Sequence, residues 1–115
     1  MTRRLTYRLQ GTEVILCKTD EEEQQAWGDK NRQLFSDNVG DSYISTVFLV
    51  IDHSFRGPPL HFETMVFGGP LDDEVRRYET FEEAERGHKL VVLAAQSHIA
   101  LEYRGNGKRA IEELD

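Results

Sequence analysis

Ser45-Thr46-Val47-Phe48-Leu49-Val50-Ile51-Asp52-His53-Ser54-Phe55-Arg56-Gly57-Pro58-Pro59-Leu60-His61-Phe62-Glu63-Thr64-Met65-Val66-Phe67-Gly68-Gly69 is the stretch on which the fold turns. Tyr43 to Asp52 is rich in β-branched and aromatic residues and almost continuously apolar, as a strand covered on both faces or lying at an interface would be. Leu60 to Phe67 is of the same kind. Gly57-Pro58-Pro59 cannot continue a ladder, because proline has no N–H to donate. The simplest reading is a central hairpin over 43–67, connected through 54–59 and ended by Gly68-Gly69-Pro70. That last tripeptide is a turn device rather than a phosphate loop, since Pro70 removes a donor.

Candidate chemistry gathers at the turn end. With Asp52 opposite His61, the two-residue period places Asp52, Val50 and Phe48 on one face with His61, Glu63 and Met65. A slip of one residue would bring His53 to His61 and Glu63 and send Asp52 to the other face. Either way a carboxylate meets an imidazole, the minimum for an oriented general base or for part of a divalent-metal site. Against this, Asp at a strand end commonly caps its own loop. There is also no His-Glu-x-x-His, no phosphate-cradling glycine loop and no nucleophile elbow. Asp52, His53, His61 and Glu63 are therefore the metal or catalytic candidates, and Arg56 and Trp27 join Asp52, His53, His61 and Glu63 as candidates for a binding surface. No catalytic residue and no cofactor is assigned, a divalent metal at that corner being the one exception considered.

Upstream, Leu5, Tyr7 and Leu9 alternate with Arg4, Thr6 and Arg8, predicting a hairpin over 3–17 turned at Gln10-Gly11. The expected register sets Leu9 against Thr12, Tyr7 against Val14, Leu5 against Leu16, Arg8 against Glu13 and Cys17 against Arg4. Asp20 to Trp27 reads as a short helix whose acids suit the positive end of the helix dipole, interrupted by Gly28 and Asp29. Trp27 covers the edge of the core or faces a partner. Leu34 and Phe35 form a small anchor, and 36–41 reads as a loop by composition.

Downstream, 72–80 is a charged turn or a short extra strand around Val75-Arg76-Arg77-Tyr78. Thr80-Phe81-Glu82-Glu83 fits a capping box. Phe81, Ala84, His88, Val91, Val92, Ala95 and Ile99 then form one apolar helical stripe. The predicted helix covers 80–103 and stops at Gly105, with a tail over 104–115. His88 reads as a hydrogen-bonded core histidine; His98 lies on the same helix. The expected architecture is one α+β domain over 1–115: an antiparallel sheet of about four strands with one long amphipathic helix on one face. The apolar central strands leave surplus hydrophobic surface for a second copy or another partner.

Composition narrows the function classes. The chain has 115 residues, 38% hydrophobic and 30% charged, and its six Phe, four Tyr and one Trp supply core material that disordered chains lack. Its 21 acids outnumber its 14 bases for a net charge of -7. The bases come as isolated pairs (Arg3-Arg4, Arg76-Arg77, Lys108-Arg109) beside acids, which argues against a nucleic-acid partner needing clustered cations. A single cysteine, Cys17, allows no intrachain disulfide. The start lacks the apolar run of a secretory signal, and no stretch approaches the roughly 20 apolar residues of a membrane span. The expected location is the cytoplasm.

Ser45-Thr46-Val47-Phe48-Leu49, Asp52-His53, Gly57-Pro58-Pro59-Leu60, Phe62 to Gly69, Arg77-Tyr78, Thr80, Glu82-Glu83-Ala84 and Gly87-His88 together resemble a family of small proteins encoded by bacteriophages, typically those of actinobacteria. The resemblance covers about residues 43 to 92, and the first 40 residues and the tail lie outside it. The family carries no established activity, so the resemblance supplies no catalytic role. It implies a phage protein acting in the cytoplasm of an infected bacterium. The function expected from all of this is non-enzymatic binding of a host protein or small signalling ligand, with a host defence or regulatory system as the target and homodimerisation through the central sheet. The alternatives are a metal-dependent hydrolase or nuclease using Asp52, His53, His61 and Glu63, and a minor virion component.

Overall fold

The computed structural model describes residues 4–97. Within them the chain forms β1 (Tyr7–Gln10), β2 (Glu13–Leu16), α1 (Asp20–Gly28), a short 3-10 turn (Lys30–Arg32), β3 (Gln33–Val39), β4 (Ser42–Phe48), β5 (Phe62–Phe67), β6 (Val75–Tyr78) and α2 (Phe81–Gln96). The class is α+β, as expected. The strands divide into a two-stranded sheet, β1-β2, and a four-stranded antiparallel sheet ordered β3-β4-β5-β6.

The register of the central hairpin follows from what it buries. Phe48 pairs with Phe62, Thr46 with Thr64 and Ile44 with Val66, and α2 packs on the face that carries all six side chains. Phe62 and Ile44 have no exposed surface, and each such side chain contributes about 1.5–3 kcal/mol by leaving water. A one-residue slip would turn this whole set outward. The register therefore overrides both pairings expected for Asp52: His61 falls beside Leu49, whose N–H donates to the His61 carbonyl at 2.7 Å. Pairing then becomes irregular, with His53 N–H reaching the Leu60 carbonyl at 3.1 Å. Residues 50–52 bulge out between these two bonds. The bulge has a use: the Val50 carbonyl accepts the Tyr7 N–H at 2.8 Å and ties the N-terminal hairpin to the sheet.

That hairpin pairs Leu9 with Val14 and Tyr7 with Leu16. The turn is Gly11-Thr12 instead of Gln10-Gly11, with Gly11 at φ 63° in the first turn position, where the hairpin turn needs a residue of positive φ. The shift is by two residues, so the faces survive, but Arg8 opposes Ile15 rather than Glu13. Cys17 pairs through its N–H with the Thr6 carbonyl rather than lying opposite Arg4.

Thr19 caps α1, accepting the Glu22 N–H at 3.1 Å. Glu23 accepts the Thr6 hydroxyl at 3.0 Å and binds the helix to β1. Beyond α1 the expected loop is a strand: β3 pairs with β4 through a Gly40-Asp41 turn, from Val39↔Ser42 to Gln33↔Val47 with a bulge near Leu34. Polar composition concealed it, because Ser36, Asp37 and Asn38 fill the middle of this edge strand.

Thr80 caps α2 by accepting the Glu83 N–H at 3.1 Å. The Glu83 carboxylate accepts the Thr80 hydroxyl at 3.2 Å. The buried stripe of α2 includes Gly87, Leu90 and Ala94 beside the expected Ala84, His88, Val91 and Ala95. Gly87 permits the close approach of α2 to β6, since a Cβ there would overlap the Tyr78 ring. The helix closes at Ser97, whose N–H and hydroxyl both donate to the Leu93 carbonyl. The expected continuation to Tyr103, His98, Ile99 and the tail lie outside the described residues.

Candidate functional site

Three places hold side chains with chemical potential: the turn end of the central hairpin, a polar seam under α2, and the surfaces that α2 leaves uncovered.

At the turn end, Asp52 is a loop cap. Its carboxylate accepts the Ser54 N–H at 2.8 Å, the Ser54 hydroxyl at 2.9 Å and the Leu60 N–H at 2.8 Å, closing both ends of the loop. Burial pushes this carboxyl up, but the bonds from Leu60 and Ser54, with the His61 ring nearby, outweigh that and hold it below the ordinary carboxylate value. His61 is 4% exposed. Its ring meets Tyr7 edge-on at 4.3 Å between centroids and stacks toward Phe48 at 6.3 Å. Burial lowers its pKa; the Leu49 backbone and the Asp52 charge offset this only in part, and His53 adds to it. His61 Nδ1 has no hydrogen-bond partner. The imidazole therefore serves as a neutral wedge between the N-terminal hairpin and the sheet.

The expected cluster is thus divided. Asp52, His53 and His61 are electrostatic neighbours. Glu63, however, projects from the other face of the sheet, paired with Val47 and Arg77 across the strands, and binds Arg77 Nε at 2.9 Å. Neighbouring strand residues point to opposite faces, so Glu63 lies on the side away from Phe62 and α2. Among the described residues no three His, Cys, Asp or Glu side chains are placed to hold a metal ion. Arg56 lies over the ring of Phe55 at 5.6 Å in the exposed connection.

Under α2, His88 is 3% exposed and lies between two partners. Its Nε2 is 2.7 Å from Asp37 Oδ2, and its Nδ1 is 2.7 Å from Thr46 Oγ1. Thr46 Oγ1 is bonded in turn to Thr64 Oγ1, which accepts the Tyr78 hydroxyl at 3.1 Å. Four elements of the sheet and the helix are thereby tied by one chain of polar groups. Carboxylate, imidazole and hydroxyl stand in the order of a nucleophilic triad. Thr46 has no exposed surface, so no substrate can reach its oxygen, and the seam acts as a core fastener. Burial pushes the Tyr78 phenol up to about 12, with the Thr64 bond and Arg76 opposing. His88 was legible as a hydrogen-bonded core histidine. Asp37 was concealed in the apparent loop, where the alternation Phe35-x-Asp37-x-Val39 ahead of Gly40-Asp41 was the available signal.

The far face of the four-stranded sheet carries Tyr43, Val47, Met65, Phe67 and Val75 in adjoining positions. Tyr43 and Phe67 rings lie 6.2 Å apart, and Phe67 is 49% exposed. Polar pairs flank them: Gln33 donates to Tyr43 Oη and Ser45 Oγ at 2.7 and 2.8 Å, and Glu63 holds Arg77. An apolar patch bordered by fixed polar groups has the anatomy of a docking surface. Beside it, Trp27, 45% exposed, lines a groove of about 540 Å³ with Lys30, Arg32, Val47 and Leu49. The sequence singled out Trp27 but not the two cations that follow it.

No protein-family model matches the chain, and neither a curated protein nor a solved structure matches it.

Proposed function

We propose that the chain is a non-enzymatic binding protein whose docking surface is the sheet face opposite α2. The observation that carries this reading is the Tyr43, Val47, Met65, Phe67 and Val75 patch, partly buried except for the half-exposed Phe67. The only helix lying along the four-stranded sheet, among the described residues, covers its other face. The roles found for Asp52 and His88 also favour it, since both spend their hydrogen-bonding capacity on holding the fold. The resemblance to phage proteins makes a host protein of regulation or defence, met in the cytoplasm of the infected cell, the natural partner. No cofactor enters this reading.

The test is capture of partners from host lysate by the wild type and by Phe67→Asp. Phe67 is half exposed, so the substitution spares the core while placing a charge in the patch. Loss of a specifically captured partner supports the proposal; unchanged capture removes it. The same face can receive a second copy, because an apolar sheet face is self-complementary in a twofold arrangement. Light scattering at micromolar concentration is expected to show a dimer that Phe67→Asp dissociates, and a monomeric wild type would refute that self-association.

A further inference from the structure

The groove beside Trp27 differs in chemistry from the sheet face that it adjoins. It is lined by Trp27, the single tryptophan of the chain, together with Val47 and Leu49. The 3-10 turn after α1 then projects two cations at its rim, Lys30 and Arg32. Arg32 is held in place: its guanidinium lies 5.7 Å from the Trp27 ring centre, with Nε and Nη2 directed to the carbonyls of Asp29 and Trp27 at 3.4 and 3.5 Å. Lys30 has no ion-pair partner among the described residues. The one carboxylate at the rim, Asp29, accepts the Asn31 N–H at 2.8 Å and caps the turn. Two cations against one carboxylate make this a positive spot on a chain of net charge -7.

The groove is open to solvent, with a volume of about 540 Å³. A half-exposed indole beside apolar side chains suits a flat ring, and the neighbouring Lys30 and Arg32 suit an anionic group on it. The geometry points to a binding site for a small anion that carries a planar aromatic ring, the chemistry of a nucleoside monophosphate. The site rests on the binding reading above, of which it specifies the small-ligand arm; it shares Val47 with the protein-docking patch but not Phe67. A nucleic-acid strand is not implied, because two cations cannot follow a phosphate backbone.

Trp27 is the only tryptophan, so its indole N–H gives one resolved resonance in a ¹H–¹⁵N spectrum. Titration with adenosine 5′-monophosphate is expected to shift this resonance saturably. Adenosine, which keeps the ring and loses the charge, and inorganic phosphate, which does the reverse, are each expected to bind at least about tenfold more weakly. Lys30→Glu, at an exposed position without a partner, is expected to weaken the nucleotide by about tenfold or more and leave the rest of the spectrum folded. Phe67→Asp should bind the nucleotide as the wild type does, while losing the protein partner, so the two proposals fail separately. No saturable shift up to about 10 mM nucleotide, equal binding of phosphate alone, or unchanged affinity in Lys30→Glu would overturn the site.

Discussion

His88 shows how a residue that looks catalytic is used for cohesion. Flanked by Asp37 and Thr46 at 2.7 Å each, it satisfies the hydroxyls that the strands bury, and an orphaned polar group there costs more than a net hydrogen bond earns. Thr46→Val keeps the shape but leaves Nδ1 of His88 unpaired, and is expected to lower unfolding stability by about 1–3 kcal/mol, read as a drop in the urea midpoint. His61 contributes in the opposite sense, as a buried neutral ring. Its folded pKa lies below the 6.5 of the unfolded chain. In that window the unfolded chain takes up a proton that the folded chain refuses, so stability is full above 6.5 and declines as pH falls through the folded value. The urea midpoint should therefore fall from about pH 8 to about pH 5, and fall less in His61→Phe. At the alkaline end Tyr78, pushed up from 10.0 to about 12, makes the fold lose stability as pH rises from 10 toward 12, because the unfolded phenol ionises first. An alkaline titration that leaves Tyr78→Phe flat in this range and the wild type falling would show it. The residue types of the candidate corner were legible in the sequence, but their company was not: which residue Asp52 meets across the strands depends on register.

Elements with strong local signals were the ones the sequence revealed. Thr80 with Glu83 located the start of α2, and Thr80→Ala is expected to cost about 1 kcal/mol in chemical unfolding. The apolar stripe identified the helix face but omitted Gly87, because a glycine carries no hydrophobic signal. Its importance is steric. Gly87→Ala would drive a methyl into the Tyr78 ring, so a clear fall in melting temperature is expected although alanine is the better helix former. β3 stayed hidden for the complementary reason. An edge strand with one face to solvent carries Ser36, Asp37 and Asn38, which are common in loops, and only pairing with β4 distinguishes the two. The N-terminal hairpin was placed correctly by alternation, while its turn moved by one position on each strand because Gly11 takes the first turn position at φ 63°.

On the scale of the whole molecule, α2 covers one side of the four-stranded sheet, and among the described residues no helix covers the other. The excess of apolar residues over 43–67 anticipated such a face without locating it; the position of α2 and the register locate it together. The patch and the Trp27 groove adjoin through Val47, so the two proposed sites share a border. The most direct measurement is quantitative capture from host lysate by three proteins in parallel: wild type, Phe67→Asp and His53→Ala, the last an exposed change at the corner. Retention of the partner by wild type and His53→Ala with its loss in Phe67→Asp is the predicted result. Equal capture by all three, or loss confined to His53→Ala, would contradict the assignment of binding to the open sheet face.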